Sequence, residues 1–341
     1  MAVTEETSQK RSVKLALTCA PGGHFEQMQN LAELYRMYPY FWITMRTTQT
    51  EHALRRETTS VYFLTRAHFT EPWTYVRQIP HVWKILSKER PTHILSTGAG
   101  IVEFIPFLLS RLLKIKFIHI ESFSRVNNPT IMGSFLLRLR HPILSQWDGI
   151  KHPRAISIGP IISDRKPFLK EPISEKIVFV TLGNRPQKFP RMLKTVEALI
   201  KDGVIREKVI AQIGSTDFRT ALMDTFDFCN PEKMVEYIAS SKYVITQESA
   251  GVVTKCLKLG KRFIVMPRAY QYRELPSKRD MEEDLHLELA EQGLTFVVHD
   301  QEQLREAIHS IGRLKTGFVF DNRQAIAYLE NIIRQSHGPH A

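Results

Sequence analysis

The chain of 341 residues has only three cysteines, Cys19, Cys229 and Cys256, far apart and each in apolar surroundings. That spacing gives neither a disulfide framework nor a metal-ligand pattern, and it suits core thiols in a reducing compartment. Residues 1–14 are polar and charged and predict no secretory apolar segment. The most apolar stretch, residues 99–113, is interrupted by Glu103, Pro106 and Arg111, so no run of about 20 apolar residues is present to span a bilayer. A full dinucleotide fingerprint is missing as well. Gly98 and Gly100 begin one, but Glu103 stands at the third glycine position, which disfavours an NAD-dependent oxidoreductase.

Acidic residues are scarce in the first half. Residues 1–165 carry 21 Lys and Arg against 12 Asp and Glu, leaving 26 against 23 for the remainder of a chain whose net charge is +12. Such a basic face can serve nucleic acid, anionic lipid or a phosphorylated substrate. The interleaving of Trp73, Tyr75, Val82 and Trp83 with Arg66, Arg77, Lys84 and Lys88 favours lipid, because indole and phenol rings suit the headgroup level while cations meet lipid phosphates. An anionic membrane surface is therefore an expected partner and nucleic acid is not. An ordinary amphipathic helix packed on a sheet remains the competing reading of the same stretch.

What the chain does have is a repeated unit of buried strand, small-residue turn and helix. Residues 15–18 run into Pro21, Gly22, Gly23 and His24; residues 92–97 run into Gly98 and Gly100; residues 176–182 run into Gly183 and Asn184. Residues 209–213 lead to Gly214, residues 243–246 to Gln247, Glu248, Ser249, Ala250 and Gly251, and residues 262–267 form a further strand. Strands alternating with helices predict α/β domains with parallel, doubly wound sheets. The length fits two domains of roughly 150 residues each. The boundary is expected in residues 161–175, where Pro167 and Pro172 stand among charges. Two Rossmann-like domains facing a cleft, residues 1–165 and 166–341, are the expected architecture, with the helix at 324–334 closing the second.

In open α/β sheets ligands bind beyond the carboxyl ends of the strands. That rule marks Gly22, Gly23, His24 and Gly98 in the first half, together with Glu121, Ser122 and Arg125 where the strand at 116–120 gives way to a loop. In the second half it marks Gly183, Asn184, Gly214 and residues 247–251 as a phosphate cradle. The polar loop that follows holds Arg268, Arg273, Lys278 and Arg279, and the next helix starts with His286 and Glu288 as candidates for sugar hydroxyls.

Taken together, these motifs resemble the two-component glycosyltransferases that build lipid-linked saccharides, here fused in one chain. Gly22-Gly23-His24, the run from Ser96 to Gly100, the run from Ile120 to Val126, and Gln146-Trp147 resemble the acceptor and membrane-associated component. Val180 to Gly183, Gln212 to Ser215, Gln247 to Gly251 and His286 to Ala290 resemble the donor component. The similarity covers nearly the whole chain and includes both the eukaryotic dolichol-linked N-acetylglucosaminyltransferase and bacterial exopolysaccharide PssD/PssE-type pairs. The chain departs from the donor pattern where Gln247 to Gly251 and Lys255 replace a His-Ala-Gly-x-Gly run and its following Glu, leaving Glu248 or Glu288 as substitutes for the ribose carboxylate.

The resemblance implies a GT-B fold and an inverting transfer from a UDP-sugar to a polyprenyl-diphosphate-linked acceptor at the cytoplasmic face of the cell membrane, with peripheral or monotopic attachment. UDP-glucuronate is the favoured donor, its carboxylate suiting Arg268, Arg273 or Arg279, and UDP-N-acetylglucosamine is the alternative. No Asp-x-Asp signature occurs, so neither a metal nor another cofactor is expected. Glu121 and His24 compete for the role of base, and the sequence favours Glu121, on the expectation that an apolar acceptor site raises its pKa. A non-catalytic scaffold of a membrane polysaccharide complex is the rival from another class. Oligomeric state is not legible in the sequence.

Overall fold

The computed structural model describes residues 12–55, 57–65, 72–98, 100–163, 177–276 and 283–335. Among these, the residues of Met1–Ser163 and Asp321–Ala341 form one compact unit and those of Asp164–Phe320 a second.

The first unit opens with β1 (Leu15–Thr18), α1 (Gly23–Gln29), α2 (Ala32–Tyr35), β2 (Tyr40–Met45), α3 (Thr48–Leu54) and β3 (Val61–Leu64). It continues with α4 (Pro72–Glu89), β4 (His93–Ser96), α5 (Ile101–Leu113), β5 (Lys116–His119), α6 (Ile131–Arg138), β6 (Ile143–Ser145) and β7 (Ala155–Ser157). The five strands of its main sheet lie in the order β3-β2-β1-β4-β5, all parallel. Every residue of β1 and β4 is buried, as a parallel sheet covered on both faces requires. A single bridge between Ile120 and Leu144 carries the sheet on to β6. Because the chain order reverses between β1 and β4, the turns that follow these two strands emerge side by side. A ligand site is expected at that switch point.

The second unit repeats the plan with β8 (Ile177–Thr181), α7 (Pro190–Lys201), β9 (Lys208–Gln212), β10 (Asp224–Phe226), α8 (Pro231–Ala239) and β11 (Ser241–Thr246). It ends with α9 (Ala250–Lys258), β12 (Phe263–Val265), α10 (Asp284–Glu291), β13 (Thr295–Val297) and α11 (Gln301–His309). The order β10-β9-β8-β11-β12-β13 is again parallel throughout, with its switch point between β8 and β11, where Thr181 pairs with Thr246.

The last helix, α12 (Arg323–Gln335), corrects the expected domain boundary. Its apolar stripe of Ala325, Leu329 and Ile333 is wholly buried in the core of the first unit, against a cluster containing Leu15, Leu34 and Ile161. Asn322 fixes the entry to this helix by donating to the carbonyl of Asn30 at 3.0 Å. Periodicity announces an amphipathic helix but not which core it covers, and sequence position alone assigned it to the second domain. Ile161, expected in the linker, also belongs to the first core, and Pro167 and Pro172 lie outside the described residues.

The first helix also differs from expectation. It starts at Gly23, inside the run from Pro21 to His24 expected as the turn, and stops at Gln29. His24 and Gln27 are thereby one helical turn apart on α1, close to the β1 terminus.

Candidate functional site

In the first unit, the turns after β1 and β4 are tied together. Ala20 donates its backbone N–H to the Gly98 carbonyl at 2.8 Å, and the Thr97 hydroxyl donates to the His24 carbonyl at 2.8 Å. His24 Nδ1 lies 2.6 Å from the Thr97 carbonyl oxygen. A carbonyl can only accept, so Nδ1 carries the proton and the neutral imidazole keeps its lone pair on Nε2. Gly98 makes this approach possible. Its φ is +88°, and a Cβ there would stand 3.2 Å from His24 Nδ1. Gly22, with φ +82°, donates its N–H to the Gln49 side chain at 2.8 Å, while Gly23 is exposed at the first position of α1. A cavity of about 670 Å³ opens beside this turn, lined by Pro21, Arg46, Thr47 and Phe63 among others.

Glu121 is placed very differently from the expected base. The residue is 1% exposed, and Oε1 accepts from the Thr130 backbone N–H at 3.1 Å and from its hydroxyl at 3.0 Å. His119 Nε2 stands 3.2 Å from the same oxygen, and His119 Nδ1 donates to Glu103 Oε1 at 2.5 Å. Ser96 donates to Glu103 at 2.9 Å, completing a buried chain Ser96–Glu103–His119–Glu121–Thr130. Burial works against charge on His119, yet the two carboxylates outweigh it and raise the pKa to about 10. Burial likewise works against the Glu121 carboxylate, but His119 and Thr130 outweigh it and the pKa is lowered. The expected rise is thus reversed, because the cation against this carboxylate and the Thr130 donors were not legible from the apolar context alone. Thr130 caps α6 by accepting from the Gly133 N–H, so Glu121 orients the loop from Ser122 to Thr130.

That loop holds the other expected acceptor residues. Phe123 N–H donates to Gln27 Oε1 at 3.0 Å, and Gln146 Nε2 donates to the same oxygen at 2.7 Å and to the Glu121 carbonyl at 2.8 Å. Trp147 Nε1 donates to the Phe123 carbonyl at 2.8 Å. The motif from Ile120 to Val126 and the Gln146-Trp147 pair are therefore one hydrogen-bonded assembly, joined through Gln27. Ser122 and Arg125 are half-buried on this loop, where Ser122 also meets the Ser124 hydroxyl at 3.1 Å. Sequence reasoning missed Gln27, Glu103, His119 and Thr130. The available signals were Gln27 at i+3 from His24 and His119 two residues before Glu121, a strand spacing that puts both side chains on one face.

In the second unit, the expected residues after β8, β9 and β11 converge. Gly183, with φ +67°, lies so near Gln247 that a Cβ would fall 2.3 Å from its Nε2. A Cβ on Gly214 would stand 3.2 Å from the Gly183 carbonyl. Thr181 donates to Gln212 Oε1 at 2.8 Å and accepts from the Gly183 N–H at 3.1 Å, while Gln212 Nε2 reaches Asn184 at 3.2 Å. Ser249 is the N-cap of α9 and makes no side-chain cap, leaving that helix end to Ala250 and Gly251. A Cβ on Gly251 would meet nothing within 4 Å. The first-turn amides of such a helix favour an anion.

Several donor candidates are instead scaffold beneath this turn. Arg268 is 1% exposed. Its guanidinium donates to the carbonyls of Leu182 and Gln187 at 3.2 and 3.3 Å and lies over the Phe189 ring. Burial lowers its pKa to about 10, and no exposed fork remains for a sugar carboxylate. Glu248 is equally buried; Oε2 accepts from the Arg268 backbone N–H at 2.9 Å, and Oε1 pairs with Arg185 at 3.7 Å and with Arg268 at 3.8 Å. It is committed to holding its own turn rather than to a ribose. His286 is buried against the Glu248 carbonyl, and burial drives its pKa down to about 4. Glu288 is half-buried and accepts from Gln292 at 2.7 Å. Arg273 is exposed on the rim of a separate cavity, and Lys278 and Arg279 lie outside the described residues, as does Arg66.

Solved structures that match the chain along its whole length share one architecture. MurG from Acinetobacter baumannii aligns at 12% identity with a TM-score of 0.64, covering 95% of this chain and 99% of that one. UDP-GlcNAc 2-epimerase from Methanocaldococcus jannaschii, in complex with UDP-GlcNAc and UDP, aligns at 14% identity with a TM-score of 0.67, covering 96% and 100%. CalG4, the calicheamicin glycosyltransferase, aligns at 14% identity with a TM-score of 0.53, covering 96% of each chain. The fold is GT-B. No protein-family model matches the sequence, and no curated protein matches it.

Within the GT-B fold both switch points carry a glycine turn packed against a neighbouring turn, and both keep a buried ion cluster beneath it. Among the described residues, no group of three or more His, Cys, Asp and Glu side chains is arranged to hold a metal ion.

Proposed function

We propose that the protein is an inverting glycosyltransferase that moves a sugar from a UDP-sugar, bound by the second unit, to a polyprenyl-diphosphate-linked saccharide held by the first. The observation that carries this reading is the convergence of Gly183, Gly214, Gln247 and the open helix end at Gly251 on one switch point. It is supported by a fold shared with a structure bound to UDP. Helix amides and turn N–H groups would meet the leaving diphosphate without a metal. In the first unit, His24 Nε2 takes the proton of the acceptor hydroxyl as its oxygen attacks the sugar's anomeric carbon and UDP departs. Glu121, through Thr130, orients the loop that carries Ser122 and Arg125 toward the acceptor.

UDP-glucuronate and UDP-N-acetylglucosamine are the two donors proposed. With Arg268 buried and Arg273 on a separate cavity, neither of these arginines is left for a glucuronate carboxylate at this turn, and the neighbour in complex with UDP-GlcNAc favours the other donor. A second reading, a UDP-sugar epimerase without acceptor, is favoured by the same neighbours. Calorimetric titration of the full chain with UDP tests the common part, with saturable binding expected and an absence of heat contradicting it. Gly251→Val should weaken UDP at least tenfold while leaving the melting temperature unchanged, since the added methyls enter open space in the free protein. Equal UDP affinity in the variant would remove this helix end from the site.

The proposed attachment is peripheral, to an anionic leaflet. Among the described residues no helix is long and apolar enough to cross a membrane. Trp73 and Trp83 on α4, Leu112 on α5 and Ile131 on α6 are 65%, 43%, 70% and 76% exposed. These three helices are linked in sequence by the ring contacts Tyr75–Phe104 and Phe104–Phe135, and Arg77, Lys84, Arg111 and Arg138 lie among them. Such a mix suits a headgroup layer. Flotation with anionic vesicles at low salt should recover the protein, less so at high salt as charges are screened. Trp73→Ser with Trp83→Ser should reduce recovery several-fold, and full recovery of that variant would move the contact elsewhere.

A further inference from the structure

The second unit carries a basic cavity that the proposed transfer does not use. It has a volume of about 550 Å³, within the roughly 300–1,000 Å³ range of small-molecule sites. It opens at the start of α7 and reaches the loop before α10 and the first residue of α11, Gln301. None of Gly183, Gly214, Gln247 or Gly251 lines it.

Its charge is unbalanced in a specific way. Arg191 and Glu274 satisfy one another through bonds of 2.9 and 2.8 Å, and Arg191 also donates to the carbonyls of Pro267 and His299 at 2.7 Å. That pair is wall, not ligand contact. Lys188, Lys194 and Arg273 are exposed on the same cavity with no side-chain partner among the described residues. Arg273 ends the short 3-10 turn Tyr270–Tyr272 in the left-handed region at φ +57°. The helix end contributes too: α7 has twelve residues, no acidic side chain in its first turn and no side-chain cap on its N-cap Phe189.

Beside these cations stands a different kind of surface. Tyr272 is 55% exposed, its ring backed by the Arg191 guanidinium at 4.8 Å, and Thr195 and Gln301 add a hydroxyl and an amide. An inorganic anion needs only the cations. A rigid aromatic face flanked by neutral polar groups is what a sugar ring needs, since its C–H face stacks while its hydroxyls bond at the edge. A guanidinium fork pairs a carboxylate through two parallel bonds.

We propose that this cavity is a saccharide site for carboxylated sugars, separate from the nucleotide, in which Arg273 pairs the carboxylate, Lys188 and Lys194 supply the field, and Tyr272 stacks on the ring. This goes beyond the transfer reading and stands without it.

The test is calorimetric titration of the full chain with a triglucuronate, with neutral maltotriose, and with sulfate at matched ionic strength. Triglucuronate should bind and maltotriose should not. Lys188→Gln with Lys194→Gln should weaken triglucuronate at least tenfold while UDP affinity and melting temperature stay unchanged. Tyr272→Ala should weaken it also, which a bare anion patch would not show. Equal binding of triglucuronate and maltotriose, equal displacement by sulfate, unchanged affinity in the lysine variant, or displacement of triglucuronate by UDP would each overturn the proposal. Should the double variant melt early, the wild-type comparison of triglucuronate, maltotriose and sulfate decides alone.

Discussion

His24→Ala should bind UDP as the wild type does and lose about 2–4 orders of magnitude in turnover, the range associated with a general acid or base. Two features support the proposed role. The imidazole sits at the first-unit switch point on a helix that begins at Gly23. Its Nδ1 proton is fixed by the Thr97 carbonyl at 2.6 Å, which leaves Nε2 as the acceptor. Glu121→Gln is the comparison. Its carboxylate is enclosed and already accepts from Thr130, so this variant should keep measurable turnover and lose stability or acceptor affinity instead. Turnover should be followed under saturating donor. If Glu121→Gln is dead and His24→Ala retains near-normal rate, the assignment reverses.

His119→Leu should destabilise the first unit by about 3–5 kcal/mol, the cost of leaving buried charge without its partner. In the folded protein the imidazolium bridges Glu103 and Glu121, and all three side chains are 1% exposed or less. Removing the cation leaves two carboxylates facing each other in the interior. The wild type should show a matching pH dependence. The folded pKa of His119, about 10, lies above its ordinary value near 6.5, so the stabilisation is complete below the ordinary value and fades as pH rises toward about 10. Glu121 acts oppositely: its pKa is lowered on folding, so its contribution holds above the ordinary carboxylate value and is lost as pH falls. Urea unfolding from pH 6 to 10 would read the first effect directly. A flat midpoint over that range, or a His119→Leu midpoint within error of wild type, would show that the chain from Ser96 to Thr130 is not an ionic cluster.

Both units were legible in the sequence because buried parallel strands leave an unmistakable mark. The apolar runs at 15–18, 92–97 and 176–182 appear as β1, β4 and β8, each followed by the glycine its turn needs. The glycines were legible for the same reason: Gly98 and Gly183 are required by close neighbours at positive φ. The destination of α12 was not, since an apolar stripe of Ala325, Leu329 and Ile333 fits either core and only chain reversal decides between them. Nor was the state of the buried ions. Arg268 and Glu248 read as ligands for a sugar because charged residues at strand ends usually face a crevice, yet here they face each other. Glu121 read as a base with raised pKa because an apolar acceptor site was expected around it, whereas its spatial neighbours are His119 and Thr130. Short-range pattern carries the sheet; the partner of a buried charge is a long-range fact.

The most direct measurement supplies the full chain with UDP-glucuronate or UDP-N-acetylglucosamine and a polyprenyl-diphosphate-linked monosaccharide in anionic vesicles, then records the product mass and the UDP released. Transfer predicts an acceptor heavier by one sugar residue, one UDP per product, loss of both in His24→Ala, and no change in the donor when acceptor is omitted. An acceptor of unchanged mass, with either donor left intact or converted to its epimer in the absence of acceptor, would contradict it.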